Sequence, residues 1–330
     1  LEDTAAMLAT SVWLPLDIST HGHRIDQLIE VVHYFMAVLF VGWGIFFTYC
    51  LLKFRSRSGH AAAYSQIKAK PSKYAEIIVV AIEAFLLIGL SMPVWAKYRN
   101  DPPTPDKDPL VVRVVAQQFA WNFHYPGPDG KFGRCKPALV NETSNPIGLD
   151  KEDPNAKDDV TTINNFFIPK GRSILVRLSS KDVIHSFAVP LLRVKQDANP
   201  GMEIPVWFEA TETTEEVQRR LVHTVELPKT ADDILHWLGR NNRMSAMADI
   251  TKDGKVVLPA FAALDKEGLK KLVDAGVTEA SVAPTDPINI QCAQLCGLGH
   301  YRMMGQMKIL EKDAFATWYS TANVEEEFVE

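Results

Sequence analysis

Residues 31 to 52, VVHYFMAVLFVGWGIFFTYCLL, carry no formal charge over 22 positions. At about 1.5 Å per helical residue, such a run crosses the roughly 30 Å hydrocarbon layer of a bilayer. A second run of 20, IIVVAIEAFLLIGLSMPVWA at 77 to 96, is interrupted only by Glu83. A buried hairpin in a soluble protein is the competing reading. The segment between the runs, 53 to 73, holds Lys53, Arg55, Arg57, Lys68, Lys70 and Lys73 and no acid, whereas residues 1 to 26 hold four acids and one Arg. The positive-inside rule therefore puts that loop in the cytoplasm and both termini outside. The chain divides into an exported segment (1–26), a first span (27–54), a cytoplasmic loop (55–73) and a second span (74–98). It opens at Leu1 rather than at a Met, which leaves open whether an export signal precedes it.

The proline-rich stretch DPPTPDKDP (101–109) reads as a stiff linker, so 99–109 marks a domain boundary. Beyond it, residues 110–125, 163–169, 173–180, 183–190, 205–211 and 305–311 are rich in β-branched and aromatic residues, with Gly, Pro and Asn at the joints. That pattern predicts a β-sandwich over 110–330. Residues 126–160 read as a long surface loop. Within 214–286, TEEVQRRLVHTV, TADDILHWLGRN and DKEGLKKLVDAG place apolar residues at helical spacing. Thr230 and Asp265 stand as caps and Gly239 and Gly276 as stops, which predicts an inserted helical subdomain.

Four cysteines are too few for a disulfide framework. Cys50 ends the first span and Cys135 lies in a polar exported loop, so those two do not pair. Cys292 and Cys296 belong to CAQLCGLGHYRM (292–303), which also supplies His300 and Met303. Soft sulfur with imidazole favours copper, zinc or iron–sulfur chemistry. The thioether points to copper, because zinc sites draw on Cys, His, Asp and Glu. A disulfide between Cys292 and Cys296 is the alternative in an oxidising compartment, although it leaves His300 and Met303 unexplained. A second imidazole is needed if each of two ions is to have one, and His185 in KDVIHSFAVP is the best candidate. His21, His23, His33 and His60 lie in or beside the membrane segment, His124 in a strand, and His223 and His236 in the insertion.

The stretch DVIHSFAVPLLRVKQDANPG together with CAQLCGLGHYRM resembles the binuclear copper (CuA) domain of subunit II of haem-copper cytochrome c oxidases. The resemblance implies an all-β cupredoxin-like sandwich, exported, behind a two-helix transmembrane hairpin. It implies that Cys292 and Cys296 bridge two coppers, that His185 and Met303 complete one ion, and that His300 and the carbonyl of Gln294 complete the other. Sharing both thiolates spreads the odd electron over two metals, so little geometry changes on reduction. Asp182 and Asp197 fall where the family has carboxylates near the copper loops. Glu76, 17 residues before Pro93, falls where the family has a Glu at the mouth of a proton path. Glu83 has no such counterpart, and an ionisable residue at membrane depth is a functional candidate by default.

Three departures qualify the resemblance. Phe119 stands where the family offers a Trp to incoming electrons, with Trp121 the nearer indole. This QQFAWN form resembles the bacterial subgroup that carries an additional c-type haem, yet no Cys-x-x-Cys-His motif occurs in this sequence, so any such haem belongs to another subunit or to a segment beyond it. Gln294 replaces the Glu that reaches magnesium at the subunit I boundary, so that contact lacks its carboxylate. The 214–286 insertion is not part of the common pattern.

The implied role is the electron-accepting subunit of a terminal oxidase, inactive alone, in the bacterial cytoplasmic membrane with its copper domain on the periplasmic side. Its expected partners are subunit I and other oxidase subunits, lipid, and cytochrome c or a c-type haem donor; nucleic acid is not among them. A CuA subunit of a nitric oxide reductase and a membrane-anchored copper chaperone are the alternatives.

Overall fold

The computed structural model describes residues 14–59, 61, 70–241 and 243–322. About half of the expected cytoplasmic loop, the first part of the N-terminal segment and the acidic C-terminal tail lie outside the described residues. The chain forms two units, Leu1–Leu14 with His21–Pro102 and Pro15–Thr20 with Pro103–Glu330.

The first unit contains α1 (Gly22–Lys53) and a second long helix in three parts: α2 (Lys70–Ala84), a π-helical stretch (Phe85–Ser91) and α3 (Met92–Asn100). The two helices are long and apolar enough to cross a membrane, and none of either apolar window is buried within the protein. Phe40 is 81% and Trp43 65% exposed, so these faces must meet lipid or a partner helix. The wide turn lies directly ahead of Pro93, whose ring would otherwise press on the carbonyl one turn back. Ser91 Oγ donates to the Leu86 carbonyl there (2.9 Å). Helix α1 begins at Gly22 and the second long helix at Lys70, both ahead of the spans read from hydropathy.

The second unit is a sandwich of two five-stranded sheets. One contains β1 (Leu110–Gln117), β2 (Ala120–Tyr125), β3 (Val160–Ile163), β5 (Ile174–Ser180) and β8 (Ile204–Phe208), in the order β3-β2-β1-β5-β8. The other contains β4 (Asn165–Pro169), β6 (His185–Val189), β7 (Val194–Ala198), β14 (Asn289–Cys292) and β15 (Met304–Leu310), in the order β4-β15-β14-β6-β7. Strict alternation in LVVRVVAQ and ILVRLSS sends Val112, Val114, Ile174, Val176 and Leu178 inward, fully buried. Phe123 and Phe166 stack across the sandwich at 4.6 Å. The Tyr125 hydroxyl closes a loop with Phe167, donating to its carbonyl (3.0 Å) and accepting from its N–H (2.9 Å). Residues 15–20, part of the expected exported segment, belong to this unit. Ile18 is fully buried, its N–H donates to Leu191 O and its carbonyl accepts from Thr211 N.

The 126–160 segment is less of a surface loop than its polarity predicts. Asp159 is buried within it, accepting from His124 Nε2 (2.6 Å) and from the Gly133 N–H (2.7 Å).

The insertion is mixed rather than helical. Three short helices form, α4 (Thr214–Arg220), α5 (Ile234–Arg240) and α6 (Lys266–Asp274), and α7 (Lys312–Thr321) follows later against the sandwich. Between them run β9 (His223–Glu226), β10 (Met244–Ala246), β11 (Ile250–Lys252), β12 (Lys255–Leu258) and β13 (Glu279–Pro284). These make a β10-β13-β9 sheet and a β11-β12 hairpin, around a separate core that includes Leu264, Leu269, Leu272 and Val282. TEEVQRRLVHTV is helical only to Arg220, because His223–Glu226 are claimed by pairing with β13. Asp265 caps α6 by accepting from Gly268 N (2.8 Å), and Gly276 follows it at φ +68, where a residue without Cβ is favoured. Gly239 lies inside α5 and does not end it. The ends of the insertion are held together by Gln218 Nε2, which donates to the carbonyls of Pro284 (3.1 Å) and Thr285 (2.9 Å).

Candidate metal centre

Strand β6 opens on His185, and β14 closes on Cys292 directly beside it, through the pairing of Cys292 with Phe187. The chain then loops out through Gln294, Cys296 and His300 and returns through Met303 into β15. Residues 107 apart in the chain therefore meet at one end of the sandwich. Cys292, Cys296 and Met303 are continuous with the apolar core, and His185 is fully buried.

The two cysteines are free thiols with sulfurs 3.7 Å apart, so the disulfide alternative is not adopted. His185 Nδ1 lies 3.8 Å from Cys292 Sγ, and His300 Nδ1 lies 3.5 Å from Cys296 Sγ. Met303 Sδ is 3.7 Å from Cys296 Sγ, and the Gln294 carbonyl is 3.1 Å from Cys292 Sγ. Bond lengths of about 2.3 Å to sulfur and about 2.0 Å to nitrogen around a tetrahedral ion place neighbouring donors about 3.5–3.8 Å apart. The spacing is thus that of donors facing a common centre. Two thiols, two imidazole nitrogens, a thioether and a carbonyl exceed what one four-coordinate ion takes, and the sulfurs sit between the two nitrogens. This set fits two soft ions that share both sulfurs.

The imidazole of His185 is oriented from behind. Its Nε2 donates to Asp182 Oδ1 (2.8 Å), which leaves the Nδ1 lone pair for a metal. Burial pushes the Asp182 carboxyl up, but the His185 hydrogen bond and the N–H groups of Gln118 and Val183 outweigh it and hold the group below the ordinary carboxylate range. Burial pushes the Cys296 thiol up to about 11, and the Cys292 sulfur beside it adds to the rise. A metal therefore displaces a proton when it binds that sulfur near neutral pH. Asp197, by contrast, is exposed on β7 opposite Ser186.

The structure separates the two aromatic candidates. Phe119 is half-buried at the β1–β2 turn and lies against the ligand loop. A Cβ on Gly299 would fall 2.4 Å from its Cδ2, so the ring occupies space that only glycine leaves. The Arg302 guanidinium stands 5.9 Å from its centroid. Trp121 is fully buried behind the site, edge-on to His185 (6.2 Å) and Phe187 (5.5 Å), where no docked protein touches it. Its burial places it in the core beside a donor histidine rather than at the surface. Glu76 lies on α2 in the other unit, exposed. Sequence reasoning missed Gln118, whose amide Nε2 donates to the Cys296 carbonyl at 2.5 Å. Nothing in its spacing distinguishes it from a polar turn residue.

Two helices long and apolar enough to cross a membrane and a β-sandwich that gathers a two-cysteine, two-histidine donor set define the class of membrane-anchored subunits with a candidate soft-metal site. The family model for the cytochrome c oxidase subunit II periplasmic domain matches residues 110–216, ending where the insertion begins. Among curated relatives, the alternative cytochrome c oxidase subunit 2 of Bradyrhizobium diazoefficiens is 32% identical over 205 residues, 62% of this chain and 72% of that one. The haem-copper oxidase subunit 2 of Aeropyrum pernix is 24% identical over 88% of this chain and 90% of its own. The quinol oxidase subunit 2 of Bacillus spizizenii is 26% identical over 51% of this chain and 44% of its own. The chain belongs to the cytochrome c oxidase subunit II family. It is a membrane-anchored subunit with an exported domain.

Proposed function

We propose that this chain is the electron-accepting subunit of a terminal haem-copper oxidase, taking electrons from a c-type cytochrome or an equivalent haem donor on the periplasmic side. The observation that supports the reading is the gathering of donors around two neighbouring sulfurs, with His185 and the Gln294 carbonyl 3.8 and 3.1 Å from Cys292 Sγ and His300 and Met303 3.5 and 3.7 Å from Cys296 Sγ. When bound there, a copper pair supplies a one-electron carrier between the donor and haem in subunit I. The chain's own residues hold the donors in place before and after transfer: His185 through Asp182, and both cysteines and Met303 through the rigid core. Relatives include a quinol oxidase subunit, so family membership leaves the donor open; the intact sulfur and imidazole set favours a haem-protein donor over quinol. The orientation of the hairpin, with basic residues 53–73 inside, supports the exported side for the sandwich. Glu76 is assigned the mouth of a proton path on its family position alone.

The test is metal analysis with electron paramagnetic resonance of the detergent-solubilised chain. Two coppers sharing one unpaired electron are expected; a single copper or a zinc ion sinks the reading. Phe119→Ala is then expected to slow reduction by a c-type cytochrome in stopped flow by about tenfold or more while copper content stays unchanged. An unchanged rate removes Phe119 from the electron path.

A further inference from the structure

Gln118 touches both ligand loops at once. Its backbone N–H donates to Asp182 Oδ2 (2.7 Å), while Asp182 Oδ1 accepts from His185 Nε2 (2.8 Å). Its side chain reaches the other loop, donating from Nε2 to the carbonyl oxygen of Cys296 (2.5 Å). A carbonyl only accepts, so the amide must present its N–H there. The backbone makes room for this bond: a Cβ on Gly297 would fall 2.7 Å from Gln118 Nε2, and Gly297 sits at φ +132. The residue after Cys296 must be glycine for the amide to dock.

We propose that Gln118 is a positioning residue that ties the two ligand loops together and raises the reduction potential of the centre through the Cys296 carbonyl. This rests on the copper-pair reading above. The amide aims the positive end of its N–H dipole at the carbonyl of a shared sulfur ligand; Gln118 itself is exposed, while the Cys296 side chain behind that carbonyl is buried. A positive dipole favours the state that holds the extra electron. A leucine at the same position removes the dipole, and a glutamate turns a carboxylate toward the carbonyl. A residue that only filled space would not order those two by charge.

The experiment is redox titration of the full-length, copper-loaded chain in detergent, followed by electron paramagnetic resonance. At a fixed solution potential, Gln118→Leu is expected to lower the reduced-to-oxidised ratio about tenfold, which is about 59 mV for a one-electron couple. Gln118→Glu is expected to lower it further. Gly297→Ala, which leaves Gln118 in place but displaces its amide, is expected to shift the ratio in the same direction. Wild-type potentials in all three variants overturn the inference, and so do equal shifts in the leucine and glutamate variants. A wild-type chain without a shared-electron signal overturns the copper reading itself and this inference with it, an outcome distinct from an intact signal with unmoved potentials.

Discussion

Cys292→Ser is expected to abolish the shared-electron signal and to cut bound copper to one ion or none. Cys292 Sγ lies 3.7 Å from Cys296 Sγ, 3.8 Å from His185 Nδ1 and 3.1 Å from the Gln294 carbonyl, so its loss withdraws a donor from both halves of the site. A hydroxyl is a harder and less readily deprotonated donor than a thiol and does not replace soft sulfur for copper. The buried position accepts serine with little change of volume, so far-UV circular dichroism should match wild type and isolate the metal effect. Cys135→Ser is the control, since Cys135 is exposed on a different loop. Retention of two coppers and an unaltered signal in Cys292→Ser would falsify the assignment of that sulfur.

Trp121→Ala is expected to destabilise the sandwich by about 3–5 kcal/mol, the usual cost of truncating a fully buried large aromatic side chain. The indole is fully buried and packs edge-on against Phe187 and His185. The cavity would open directly behind a ligand histidine, so copper affinity should fall along with the denaturation midpoint. Chemical denaturation of the metal-free chain measures the packing loss separately from metal binding. A change below about 1 kcal/mol would show that the surrounding side chains collapse into the space.

Much of this was legible before any coordinates, for identifiable reasons. The two long helices follow from apolar length, broken in the second only by Glu83, and the run at 292–303 carries four of the candidate donor side chains within twelve consecutive positions. His185 was legible through the residues around it, because a lone histidine in a strand signals nothing by itself. Phe119 and Trp121 were not separable in sequence: they are two positions apart, and only the turn between β1 and β2 decides which ring stays at the surface. The insertion misled because apolar spacing at Thr214–Val225 fits a helix, whereas the cross-strand partner that ends the helix lies more than fifty residues away. Asp159 was likewise hidden, since its polarity reads as loop until His124 is brought to it across a strand boundary.

The Gln218 clasp gives the insertion a practical meaning. With its two ends held together at Pro284 and Thr285, and with a core of its own, the segment joins the sandwich at a single seam rather than through its strands. That seam is a grafting port. A short turn, or a foreign domain whose termini lie close together, is expected to replace residues 222–283 while β14 keeps its register and the ligand loop its shape.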